Sequence, residues 1–317
     1  MVLRLIFDLH CSIRARARRA CSVALLAAVL LPACGESPVI PSPLPRALGD
    51  VRGVIATFEN LQTLPQEVGI YGLWITSTDA AGFLGTFNIN ESGQTVDRDG
   101  NLIPRFTTPE VNLAKALSVI VSVELFNSNP ETPSGNVIMQ GPFSEGVARM
   151  TVPIPNQIVS AAGTYTVQTP TDGPDTNEAS GIWAIDAEGN PTLDLPEATA
   201  GYVYEHFIFI EGREIIMGRF NVPDEPDTVN AYIDDLFPPP EVPGDDFLRN
   251  EPSGLDFPTN LGGSRLIVTL EPRILDSIHP SQLVVLEAFL PLGLVGGETI
   301  MMINRTANFP TGTVIQF

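Results

Sequence analysis

A chain of 317 residues with 44% hydrophobic residues and a positive mean hydropathy can bury a core and is not a disordered tail. Its formal charge is −20, with 17 Lys and Arg against 37 Asp and Glu, so it repels phosphate backbones and anionic headgroups and speaks against nucleic-acid binding. Plentiful Gly and Pro, 27 and 29, favour turns between strands over long helices.

Residues 1–33 differ from all that follows. Arg4, Arg14, Arg16, Arg18 and Arg19 make a basic start, and "ACSVALLAAVLLPA" (20–33) is an apolar run of signal-peptide length, short for a membrane span. It ends in "LPACGE", which resembles a bacterial lipobox with Cys34 as the lipidated first residue of the mature chain. Pro32 departs from that pattern, while Leu31 and Ala33 fit it. Loss of 1–33 removes five arginines and Asp8, taking the charge from −20 to −24. It also removes Cys11 and Cys21, so only Cys34 remains and no intrachain disulfide is expected. Gly35 after the Cys, rather than Asp, implies outer-membrane sorting if the source has two membranes. The Pro-rich segment 34–50 reads as a semi-rigid tether.

The main body carries an internal repeat. "YGLWITSTDAAGFLGTFNI" (71–89) aligns without a gap with "YEHFIFIEGREIIMGRFNV" (204–222), 133 residues later. Tyr71, Trp74, Gly85 and Phe87 meet Tyr204, Phe207, Gly218 and Phe220. Downstream, "SVIVSVELFNSNPETPSGNVIMQ" (118–140) meets "RLIVTLEPRILDSIHPSQLVVLE" (265–287) at an offset of 147, so the second copy holds 14 extra residues. Two blocks in one order point to a duplicated unit. The repeat reads Trp74 as scaffold, because a ligand platform would keep the indole.

Each block has the period of two of a half-buried strand, as in Val119, Val121 and Val123. Glu211-Gly212 reads as a hairpin turn. The expected fold is all-β, with two related antiparallel β-sandwich units in tandem. The expected division is a first repeat at 51–145, a connecting segment at 146–180 and a second repeat at 181–317, with an acidic Pro-rich insertion about 223–256. The insertion reads as a spacer covering an edge strand rather than a partner-contacting lid. Short helices are expected only at 109–117 and 227–237.

The order of "LP", "YGLW", "GTF", "VSVE" and "PS" resembles the extracytoplasmic C-terminal domain of the anti-sigma-K factor family. The second copy resembles a lipoprotein branch of that family through "TPTDGPDTNEASGIWAID" (169–186), "VPGDDFL" (242–248) and "FPTNLGGSRLIVTLEP" (257–272). The resemblance implies a β domain outside the cytoplasm. The sigma-binding domain and membrane helix of that family have no counterpart here, so no direct sigma-factor contact is expected.

Candidates for chemistry are few. After the signal only His206 and His279 remain, and neither has zinc-ligand or nucleophile spacing. No catalytic residue, cofactor or firm metal site is expected. Glu124 and Glu271 recur between copies and are assigned a structural hydrogen bond to a neighbouring turn. Asp172, Asp175, Glu178, Asp245 and Asp246 are weak calcium candidates, being hard oxygen ligands in turns without EF-hand spacing. The expected function is a non-catalytic, lipid-anchored envelope protein that contacts an envelope protein or ligand. The competing class is a glycan-binding or carbohydrate-active envelope protein. A hydrolase needs two carboxyl groups facing across a cleft; a binding module needs an exposed apolar patch.

Overall fold

The structure is a computed structural model that describes residues 51–317, except 79–80, 108–111, 174–175, 229–231, 234–235, 249 and 274–278. The signal, the tether, Cys34 and Asp175 lie outside the described residues. The chain folds as strands β1 (Val54–Glu59), β2 (Ile70–Thr76), β3 (Ala81–Ile89), β4 (Thr95–Val96), β5 (Ser118–Glu124), β6 (Val137–Ser144), β7 (Val147–Met150), β8 (Ala162–Thr166) and β9 (Ile182–Trp183). It continues with β10 (Leu193–Asp194), β11 (Tyr202–Ile210), β12 (Arg213–Phe220), β13 (Gly244–Asp245), β14 (Arg265–Pro272), β15 (Val284–Phe289), β16 (Thr299–Met301), β17 (Ile303–Asn304) and β18 (Thr311–Gln316). The described helical turns are single 3-10 turns, such as Leu113–Lys115.

All described strand pairs are antiparallel. One sheet has the order β1-β18-β7-β6-β5-β2-β3-β4 and another the order β12-β11-β14-β15-β17. A third is built around β8, with β10 and β9 on one path and β16 beside it. Two main cores result. The first gathers Val54, Tyr71, Phe87, Val121, Met139 and Val314. The second gathers Tyr165, Tyr204, Phe220, Val268, Leu286 and Phe309.

The repeated blocks take matching local forms. The β2–β3 register shifts between Leu73 and Trp74, and the β11–β12 register shifts between His206 and Phe207, 133 residues on. The β5–β6 shift falls between Val121 and Ser122, and the β14–β15 shift between Val268 and Thr269, 147 residues on. Each shift is a bulge that strengthens the local twist and re-aims the next side chain. Tyr71 and Phe87 stack with centroids 5.3 Å apart, and Tyr204 and Phe220 with centroids 5.5 Å apart. Glu211 and Gly212 both have positive φ at the β11–β12 turn, where glycine meets no steric cost.

Sheet membership crosses the expected boundaries. β18 belongs by sequence to the second repeat, yet it pairs with β1 and β7 in the first sheet. β8 lies in the expected connecting segment, yet it pairs with β10 and β16. The expected helices also give way. At 109–117 only Leu113–Lys115 is helical among the described residues, capped by the Asn112 side chain. At 227–237 no described residue is helical, because backbone donors there go to distant acceptors: Thr228 N to Arg219 O and Phe237 N to Thr171 O. An α-helix would aim the Phe237 donor at the carbonyl four residues back, whereas Thr228, in its first turn, would have no partner within the helix.

Candidate functional site

Trp74 is wholly buried, packs its ring against Phe83 at 4.6 Å and donates its indole N–H to Ser122 Oγ at 2.9 Å. It offers no surface to a ligand. Glu124 and Glu271 are buried at the ends of β5 and β14 and hold the turns that follow. Glu124 Oε1 accepts from Ser134 N at 3.0 Å, and Glu271 Oε1 accepts from Ser281 N at 2.6 Å. The serine hydroxyls donate back to the strands, Ser134 to Val123 O and Ser281 to Leu270 O. Burial outweighs these donors at Glu271 and pushes its carboxyl up to about 7.

The insertion turns back onto the second sheet and buries a polar cluster. Asp227 approaches Gly218 so closely that a Cβ there would lie 2.4 Å from its carboxyl carbon. Asp227 Oδ2 lies 3.0 Å from His206 Nε2, and His206 Nδ1 lies 3.4 Å from the Tyr165 hydroxyl. With Nε2 donating to the carboxylate, Nδ1 accepts from tyrosine; the tautomer follows from the network. β13 then pairs with β9, so the insertion covers that strand. Asp246 accepts from Trp183 Nε1 at 2.6 Å, from Thr171 N at 2.8 Å and from the Thr171 hydroxyl. Burial pushes Asp246 up to about 6, still ionised at neutral pH. Burial and the neighbouring Asp227 raise Asp245 well above the usual carboxylate range.

This geometry does not favour the calcium reading. Asp246 has its oxygens engaged by protein donors, and Glu178 Oε2 accepts from Thr169 N at 2.9 Å. Asp172, whose charge helps raise Asp246, receives the Thr176 hydroxyl on Oδ2 at 3.4 Å. Among the described residues no group of three or more His, Cys, Asp or Glu is placed to hold a metal ion.

Among the described residues two surfaces bear on a partner, beside an open cleft of about 790 Å³ lined by Thr169, Pro170, Glu178 and Phe237. The first is a groove of about 480 Å³ between residues 62–65 and 67–68 on one side and 271–272 and 279–282 on the other. Gln282 bridges its walls, accepting from Gln62 N at 2.9 Å and donating to the Tyr71 hydroxyl at 3.0 Å. Its rim carries Glu67, Arg265 and the His279–Glu214 pair, 2.6 Å apart. Ser281 in this groove donates its hydroxyl to the Leu270 carbonyl.

The second surface is apolar. Phe289, Leu292, Val295, Met301 and Ile303 are 63%, 87%, 61%, 77% and 51% exposed. They lie between β15 and β17: Ile303 sits opposite Glu287, which pairs with Arg265 and Arg305, Phe289 is two residues further along β15 on the same face, and Met301 is on β16, which pairs with β8 in another sheet. Single apolar residues on a surface are ordinary, but here five large exposed ones fall within residues 289–303. The sequence gives no warning of it: this stretch reads as one more apolar strand and turn. Comparisons with protein-family models, curated proteins and solved structures find no match to this chain.

Proposed function

We propose that this chain is a non-catalytic, lipid-anchored envelope protein that docks another protein through the apolar β15–β17 hairpin. The exposed set Phe289, Leu292, Val295 and Met301 carries this reading, since large apolar side chains grouped on a surface mark an interaction site. The motif around Cys34, the likeness to an extracytoplasmic anti-sigma-K-like domain and a duplicated β unit belong to the same proposal. The matched bulges, stacked aromatic pairs and glutamate-held turns support the duplication.

Two experiments bear on it. Radioactive palmitate is expected to label the wild type and not Cys34→Ala; equal labelling of both would defeat the anchor. The double variant Phe289→Asp/Met301→Asp is expected to fold with stability within about 0.5 kcal/mol of wild type, because both side chains are exposed. It should weaken binding to a partner isolated with the wild-type chain at least ~30-fold, the loss of about 2 kcal/mol typical of an interface anchor. Undiminished binding would contradict the hairpin as the docking surface.

A second reading rests on the groove. Its mixed lining of carboxylates, Arg265, His279 and prolines suits a small polar ligand such as a glycan, bound without hydrolysis. Binding that survives the hairpin variant and is lost in His279→Ala would favour it.

A further inference from the structure

The last strand of each repeated block pairs with strands of the other block, and the two placements share a register. In β18, Thr313, Val314 and Ile315 face Arg149, Ala148 and Val147. In β8, Thr164, Tyr165 and Thr166 face Met301, Ile300 and Thr299. The strands differ by 149 positions and these partners by 152, constant along the pairing. On the other side Gly312 faces Phe58 and Gly163 faces Leu193, with Thr311–Glu59 and Ala162–Asp194 next to them. Those partners differ by 135 throughout. Both strands read Gly-Thr at the matching place.

The cores follow the same exchange. Val314 of β18 packs in the first core, while Tyr165 of β8 packs in the second. The chain passes from the first core to the second between Met150 and Val152, and returns between Phe309 and Val314.

We propose that two copies of one β unit have exchanged their last strands within this chain, and that the slot between β1 and β7 also accepts β18 from a second copy of the chain. This rests on the duplication reading. An exchanged strand makes the same hydrogen bonds whichever chain supplies it, so exchange needs no new interface. The tether within one chain favours the internal arrangement until the chain concentration approaches the effective concentration of a linked strand, about millimolar. Exchange therefore takes place during refolding at high concentration, not by peeling a strand paired on both edges.

The test uses full chains with Cys11, Cys21 and Cys34 changed to Ser. One carries Thr57→Cys and the other Thr313→Cys, residues directly opposite in β1 and β18. Refolded together under mild oxidation, they are expected to give an interchain disulfide dimer whose yield rises with concentration. The Thr57→Cys/Thr313→Cys double variant, refolded dilute, is expected to cross-link within the monomer. A cross-linked double variant with no mixed dimer at any concentration would overturn exchange between chains. A double variant that does not cross-link would overturn the β1–β18 pairing and the proposal with it. A third mixture pairs Thr57→Cys with Thr164→Cys, the residue matching Thr313. A minor dimer is expected there; its absence beside a strong Thr313 product would overturn the equivalence of β8 and β18, and so the duplication.

Discussion

Asp246→Ala is expected to lower the unfolding free energy by about 3–5 kcal/mol, measured by urea denaturation at neutral pH. The carboxylate is wholly buried and is the acceptor for the Trp183 indole, the Thr171 amide and the Thr171 hydroxyl. Alanine leaves two N–H groups that cannot turn elsewhere, each at a cost of about 1–3 kcal/mol, and a cavity besides. The hydroxyl can rotate, which sets the upper end. The same contacts tie the insertion to β9, so near-ultraviolet dichroism from Trp183 should change as well. Trp183→Phe removes one donor and leaves Asp246 with Thr171, so it should cost less. A loss under about 1 kcal/mol in Asp246→Ala would mean the insertion is held by other contacts.

Stability is expected to fall as pH rises from about 4.5 to about 7.5, the reverse of ordinary acid denaturation. Glu271 is pushed up to about 7 and Asp246 up to about 6, chiefly by burial, and Asp245 is raised as well. A carboxyl whose folded pKa exceeds its unfolded one stabilises the fold fully below the unfolded value. That contribution is lost as pH climbs through the folded value. For Glu271 the interval from 4.5 to about 7 corresponds to roughly 3 kcal/mol at 1.36 kcal/mol per unit. Asp97, Asp186 and Glu287 are held low by hydrogen-bond or arginine partners and act in the opposite sense, but only below the normal carboxylate range. Glu271→Gln keeps an oxygen for Thr269 and Ser281 and removes the titrating carboxyl. It should flatten the profile between about pH 5 and 7.5. A variant that keeps the full wild-type slope would place the cause elsewhere.

Much of this fold can be read from local pattern. Strand alternation, the Glu211-Gly212 turn and the spacing of Tyr71, Gly85 and Phe87 against Tyr204, Gly218 and Phe220 are short-range signals, and the strands carry them. The recurrent Glu124 and Glu271 do hold the turns after their strands. What is not legible depends on partners far apart in sequence. β18 and β8 share little beyond Gly-Thr, so nothing local announces that β18 pairs with β1 and β7, or β8 with β10 and β16. His206 reads as one polar residue in a strand; its partners Tyr165 and Asp227 come from different segments. The acidic insertion looks solvated, yet Asp245 and Asp246 are fully buried because β13 joins β9. The exposed apolar set within 289–303 escapes notice because an apolar strand residue that faces solvent is spelled like one that faces the core.

Hydrogen exchange of the chain in the envelope vesicles where the proposed anchor would place it, set against the purified chain, tests the proposed docking surface most directly. Slowed exchange is expected in the envelope across residues 286–304, with the groove segments 62–68, 271–272 and 279–282 unchanged. Equal exchange across 286–304 in both samples, or slowing confined to the groove, would contradict it.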